Sequence, residues 1–322
     1  MALLSIKSVS KFIANNSIVN NISFEQAPLQ KIAIVGETGS GKSTLLKMIA
    51  GWVQPDAGEL FLEGKRIKGP DEKLIPGQKE IAYLSQHFEL RNAYRVEELL
   101  SYANTLTDIE AANLFEVCKI DHLLKRKTDQ LSGGERQRIA IARLLISAPK
   151  LLLLDEPFSN LDLIHKNILK TVIREIGDRL QITCLMISHD PHDILAWADQ
   201  IIILKAGAII QQGTPQEVYQ HPVDAYAAGL MGNYQLCTQA IEKLFDLSLK
   251  NEQQQFLRPE YFKIVGEGAG IKAVIDRIFF MGGWSELQIT VADKQITLKT
   301  METSHQKGNT IFVQLVLPAI IK

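Results

Sequence analysis

The sequence predicts an α/β domain built on a largely parallel sheet, followed by a small all-β domain. Three observations lead there. Residues 32–35, 151–154 and 182–187 are short apolar runs that read as strands buried on both faces. Stretches with apolar residues at helical spacing follow them, and strands alternating with helices imply a parallel sheet covered on both sides. Around residue 235 the pattern changes to short alternating segments broken by glycines.

Taken in order, residues 1–30 alternate as strands do, with Leu3, Ile6 and Val9, then Ile18, Ile22 and Phe24. The run 32–35 leads into glycines and then into Leu45, Met48, Ile49 and Trp52 at helical spacing, with Gly51 suited to the helix end. Residues 96–127 read as helical: Val96, Leu99, Leu100 and Ala103 share one face, and Leu114, Val117 and Ile120 another. Ile164, Ile168, Val172 and Ile176 form a helix between the second and third strands. A helical stretch over 191–198 follows, and 201–204 with 208–211 read as a hairpin around Lys205-Ala206-Gly207. In the second domain a linker helix at 238–245 precedes strands at 271–275, 287–291, 295–299 and 310–317. The expected domains are 1–235, with a helical subdomain at about 88–145, and 236–322.

Composition limits the function classes. The chain has 322 residues, 46% hydrophobic and 22% charged, enough for two domains with sizeable cores. A formal net charge of -1 lacks the basic footprint of a nucleic-acid binder, so no nucleic-acid partner is expected. Cys118, Cys184 and Cys237 are scattered without metal-ligand spacing and read as reduced thiols. The start MALLSIKSVSKF has no charged residue leading an apolar stretch, so no secretory signal is expected. The apolar run 139–154 is broken by Arg143, Pro149 and Lys150, and a spanning helix needs about 20 mostly apolar residues. The expectation is a cytoplasmic protein, and any membrane role must come through a partner.

Gly36-Glu37-Thr38-Gly39-Ser40-Gly41-Lys42-Ser43-Thr44 fits G-x-x-x-x-G-K-[ST] between a strand and a helix. The glycines let backbone N–H groups turn inward around an anion, and the helix that follows points its positive end at it. Lys42 can reach the β- and γ-phosphates of a nucleotide, and the Ser43 hydroxyl can ligate Mg²⁺. The strand 151–154 ends in Asp155-Glu156-Pro157. Open α/β sheets place ligands at the carboxyl ends of their strands. There Asp155 would hold Mg²⁺, directly or through water, and Glu156 would orient or deprotonate an attacking water.

Leu131-Ser132-Gly133-Gly134-Glu135-Arg136-Gln137 is the most specific motif. A serine and two glycines ahead of a helix make a second anion site. With the phosphate loop and the LLLLDEP run, this segment resembles the LSGGQ-like hallmark of the ATP-binding cassette (ABC) ATPases, and the resemblance covers roughly residues 3–235. It implies a head-to-tail homodimer in which the phosphate loop of one copy and Ser132, Gly133, Gly134 and Glu135 of the other enclose one MgATP. It also assigns Gln86 to Mg²⁺, water and signalling to a membrane partner, and His189 to the γ-phosphate as a switch. Ser159-Asn160-Leu161-Asp162 resembles the loop that bridges the two copies. The adenine-stacking slot departs from the family's aromatic residue: it falls on Ile13, with Phe12 one place early, so either contacts adenine.

Phe256-Leu257-Arg258-Pro259-Glu260 and the strands after it resemble the OB-like β-barrel, often called TOBE, carried by ABC importer ATPases serving polyamine, iron(III), sulfate, molybdate and sugar uptake. The resemblance then implies separate permease subunits, an extracytoplasmic solute-binding protein acting indirectly, and a peripheral place at the cytoplasmic face of the membrane. Two other readings compete. A soluble ABC ATPase of nucleic-acid or translation processes usually carries two cassettes or long coiled-coil insertions, and neither is visible. An exporter ATPase is disfavoured by the β extension.

Overall fold

A computed structural model describes residues 2–14, 16–86, 90, 93–159, 161–247 and 256–318. Asn160 of the bridging loop, the first residues of the expected helical subdomain (88 and 89), and 248–255 and 319–322 of the expected second domain lie outside the described residues. The chain divides into two compact units, 1–218 and 219–322.

The first unit runs β1 (Leu4–Ile13), β2 (Asn16–Gln26), β3 (Lys31–Val35), α1 (Lys42–Ile49), β4 (Ala57–Leu62), β5 (Lys65–Arg66), β6 (Ile81–Leu84), α2 (Val96–Ser101), α3 (Asp108–Cys118), α4 (Gly133–Leu145), β7 (Leu151–Asp155), α5 (Leu163–Leu180), β8 (Thr183–Ile187), α6 (Pro191–Ile194), β9 (Gln200–Lys205) and β10 (Ala208–Gly213). Helix α7 (Pro215–Gln220) spans the division. Six strands form a sheet in the order β10-β9-β3-β8-β7-β6, parallel apart from the edge strand β10. A second, antiparallel sheet has the order β2-β1-β4-β5. Leu151, Leu152, Leu153 and Leu154 are fully buried, as a central parallel strand requires. Leu45, Leu46, Met48 and Ile49 of α1 pack with Ile32, Ile34, Leu151 and Leu153 in one core, and this fixes the start of α1 above the ends of β3 and β7.

The helical stretch expected at 96–127 is broken in two. Thr107 caps α3 by accepting from the Glu110 N–H, and Glu110 returns a bond to the Thr107 N–H, so a new helix starts there. Lys119 then turns left-handed, with φ 53°, and ends it.

The second unit comprises α8 (Ala225–Leu230), β11 (Gln235–Leu236), α9 (Gln239–Leu244), β12 (Phe256–Leu257), β13 (Phe262–Val265), β14 (Ile271–Phe280), β15 (Ser285–Val291), β16 (Lys294–Thr300) and β17 (Thr310–Leu315). Its main sheet is antiparallel, in the order β13-β17-β14-β15-β16. The division at 218/219 lies upstream of the expected 235/236, and Arg258 supplies the reason. It is fully buried, and its guanidinium donates to the carbonyls of Tyr219 (3.0 Å), Ala228 (3.0 Å), Gly232 (3.0 Å) and Asn233 (3.2 Å). Residues 219–233 are thereby tied to the β domain, since a buried cation needs every donor satisfied.

Candidate functional site

The phosphate loop joins β3 to α1, as the motif requires. Gly39 and Gly41 have φ of 85° and 94°, left-handed values that a side chain resists. At Gly41 a Cβ would also stand 2.2 Å from the Ile18 carbonyl oxygen, and at Gly36 one would stand 2.4 Å from that of Leu204. The loop is therefore gripped by neighbouring backbone, and glycine is demanded by space as well as by φ. Lys42 is buried, and its ammonium donates to the carbonyls of Gly36 (2.8 Å) and Glu37 (2.7 Å) and to Ser40 Oγ (3.3 Å). Burial pulls the Lys42 pKa down, more than the nearby Glu156, Asp155 and Glu37 hold it up. Thr44 follows Ser43 in the first turn of α1 and is half-buried, whereas Ser43 is exposed.

Asp155 ends β7 and is buried. Ser43 Oγ donates to its Oδ1 at 3.1 Å and the Tyr83 hydroxyl to its Oδ2 at 2.9 Å. Tyr83 lies on β6, the strand beside β7, and its own pKa is raised by burial first and by Asp155 second. Glu156 follows with φ 52°, a left-handed conformation that costs a non-glycine residue about 1 kcal/mol or more. Its N–H donates to the Ile187 carbonyl at the end of β8. The His189 Nδ1 lies 2.6 Å from Glu156 Oε2, so Nδ1 carries the proton given to the carboxylate. Phosphate loop, Asp155, Glu156 and His189 thus converge at the carboxyl ends of β3, β7 and β8. Gln86 is exposed, two residues beyond the end of β6.

The LSGGE segment is organised differently. Ser132 caps α4: its Oγ accepts from the Glu135 N–H at 3.2 Å, and Glu135 Oε2 accepts from the Ser132 N–H at 2.8 Å. A Cβ on Gly134 would lie 2.5 Å from the His165 ring, whereas one on Gly133 would meet nothing within 4 Å. Packing against α5 is thus a sufficient reason for glycine at 134, and Gly133 is the open position. Asp162 caps α5 by accepting from the His165 N–H at 2.9 Å and also lies 2.6 Å from the His165 Nδ1. Ser132, Gly133, Gly134 and Glu135 form no hydrogen bond with Lys42, Ser43 or Asp155 among the described residues.

Phe12 and Ile13 sit at the tip of the β1–β2 hairpin, opposite Ser17 and Asn16, and both are about half exposed, at 49% and 54%. A register irregularity between Lys11 and Phe12 interrupts the alternation there, and this is why a one-residue count cannot choose between them.

Three positioning contacts escape motif reading. Tyr83 holds Asp155, as above. Gln137 donates from Nε2 to the Pro157 carbonyl, joining α4 to the turn after Glu156. Lys166 on α5 pairs with Asp190 (2.6 Å) and Asp193 (2.8 Å), anchoring the turn that carries His189. The only sequence signal for these was proximity to a motif. Among the described residues no helix is long and apolar enough to cross a membrane.

Residues 19–159 match the family described as ABC transporter. The chain is 31% identical to the maltose/maltodextrin import ATP-binding protein MalK of Yersinia pestis over 334 aligned residues, covering 99% of this chain and 87% of that one. It is 32% identical to the sulfate/thiosulfate import ATP-binding protein CysA of Mesostigma viride, covering 91% and 88%. It is 28% identical to the Fe(3+) ions import ATP-binding protein FbpC of Photobacterium profundum, covering 91% and 89%. Among solved structures, CbiO1 from Clostridium perfringens, part of the ABC transporter complex CbiONQ, superposes with a TM-score of 0.60 at 25% identity, over 67% of this chain and 90% of that one. The ADP conformation of MJ1267, an ATP-binding cassette of an ABC transporter, also gives 0.60, at 24% identity over 69% and 96%.

Proposed function

We propose, from the premise that this chain belongs to the ABC transporter family and is one of its ATP-binding, ATP-hydrolysing subunits, that it powers solute import by closing on MgATP as a head-to-tail pair of identical copies. ABC importer ATPases work with membrane permease subunits, and the names of the curated relatives support import over the soluble and exporter readings. Those relatives are named for three different solutes, so the solute is better assigned to the permease and an extracytoplasmic binding protein than to this chain. Its place would be the cytoplasmic face of the membrane.

The observation that carries the reading is the convergence of Lys42, Ser43, Asp155, Glu156 and His189 on one loop. The residues fit the nucleotide. Lys42 already satisfies its ammonium on backbone oxygens inside the loop and would exchange them for the β- and γ-phosphate oxygens. The backbone of 36–44 and the start of α1 supply N–H donors. They fit Mg²⁺ as well, since the Ser43 hydroxyl and the Asp155 carboxylate are adjacent oxygen donors of the kind a hard cation takes, with Gln86 as a further oxygen. Bound there, Mg²⁺ would neutralise charge on the phosphates.

Glu156 accepts a proton from water as the water oxygen bonds to the γ-phosphorus and the bond to the β-phosphate oxygen breaks, leaving ADP and phosphate. His189 keeps the Glu156 carboxylate aimed through Nδ1, with Nε2 left for the γ-phosphate. Ser132, Gly133 and Gly134 of the opposite copy would close over the same phosphates, with Glu135 holding the cap and Asp162 at the seam. Adenine would lie against Phe12 or Ile13 at the hairpin tip. Sedimentation of Glu156→Gln tests the arrangement: MgATP should convert it to a dimer holding two nucleotides, and a monomer at saturating MgATP would refute the shared site.

A further inference from the structure

The second unit contains a cleft of about 430 Å³. Its floor is the face of β14, β15 and β16 turned away from that unit's core. Phe279 and Glu286 are direct cross-strand partners there, as are Gln288 and Thr297. On β15 these floor residues alternate with the buried Ser285, Leu287 and Ile289. Gly229, Gly232, Asn233 and Tyr234 on one side and Leu257 and Pro259 on the other form the walls.

Among the described residues the lining holds one carboxylate, Glu286, and no lysine, arginine or histidine. Lys299 stands opposite Glu286 across β15 and β16, but its ammonium sits 4.1 Å from the centre of the Trp284 ring. Glu286 Oε1 accepts one long bond, 3.3 Å, from Asn233 Nδ2. The buried Arg258 lies between wall residues Leu257 and Pro259, yet its donors are spent on the carbonyls of Tyr219, Ala228, Gly232 and Asn233. It therefore offers nothing to an anion, while it fixes the wall backbone and preorganises the cleft.

From this geometry we propose that the cleft binds a small organic ammonium ion. The ammonium would bond Glu286, and its short apolar chain would lie between the Phe279 and Tyr234 rings. An anion would face Glu286, and among the described lining residues no cation stands ready to receive it. A wholly apolar guest would bury the amide of Gln288 and the hydroxyl of Thr297 without partners.

The test is a calorimetric titration of the full, nucleotide-free chain with n-butylammonium, and with n-butanol and butyrate as neutral and anionic probes of the same length. Saturable n-butylammonium binding is expected, with both controls weaker by about tenfold or more. Glu286→Gln should weaken n-butylammonium by about tenfold. Thr297→Trp, which fills the cleft, should abolish binding, and thermal melts would establish that both variants are folded. Absence of saturable n-butylammonium binding, equal binding of n-butanol, or a folded Glu286→Gln that binds like the parent would each overturn the proposal.

Discussion

The loop 36–44 and the segment 131–135 both lead into helix N-termini, where unpaired N–H groups and the helix dipole favour an anion. Their surroundings differ. The first is furnished with a buried ammonium, a hydroxyl bonded to a carboxylate, and a second carboxylate held by a histidine. The second is closed on itself by the Ser132–Glu135 capping box; burial pushes the Glu135 pKa up, but the Ser132 bonds, with Arg126 and Arg138, leave it lowered on balance. A helix start alone is thus a generic anion site. The chemistry comes from the side chains that neighbouring strands deliver to it. On the proposed function, the contrast would let the phosphate loop bind nucleotide within one copy and leave the LSGGE segment to complete a site furnished by another.

The largest expected effect tests the furnished side. Glu156→Gln removes the proposed base and should lower phosphate release by about 10²–10⁴-fold while nucleotide binding persists. Near-normal turnover would take the role away from Glu156. On the other side, Ser132→Arg should cut turnover by about 10²-fold or more through lost transition-state stabilisation, with nucleotide affinity of the isolated copy preserved. A matching loss of affinity, followed with a fluorescent nucleotide, would mean that the segment serves its own copy's loop and would dissolve the contrast. Tyr83→Phe deletes one of the two bonds that orient Asp155, and the Mg²⁺ concentration for half-maximal ATPase should rise by about tenfold. No change would reduce Tyr83 to a packing residue. The smallest effects separate the two glycines. Gly134→Ala must displace the His165 ring and should cost about 1–3 kcal/mol, read as a lower Tm. Gly133→Ala meets open space and should gain up to about 1 kcal/mol from helix propensity.

The residues proposed to bind and react stand in motifs that are contiguous, and this is why the sequence alone could name them as candidates. A glycine loop, a strand ending in two acids and a capped helix each state their chemistry within ten residues. Alternation and helical spacing located β3, β7, β8 and the β14–β17 strands for the same local reason, since each pattern reflects the pitch of one element. Boundaries that depend on a remote partner were not legible. The break between α2 and α3 was at least local, in the Thr107–Glu110 box, but periodicity is blind to caps. The division at 218/219 depends on Arg258, some 40 residues downstream, reaching back to Tyr219.

Local order along the chain was therefore enough to establish which groups are present and which elements carry them. Folding was needed to choose their neighbours. Tyr83 meets Asp155 because β6 and β7 pair in register, Gly134 meets His165 because α4 and α5 pack, and Glu156 meets His189 because β7 and β8 end side by side. Contacts across 72, 31 and 33 positions of sequence are set by sheet order and helix packing, which no spacing within one segment records.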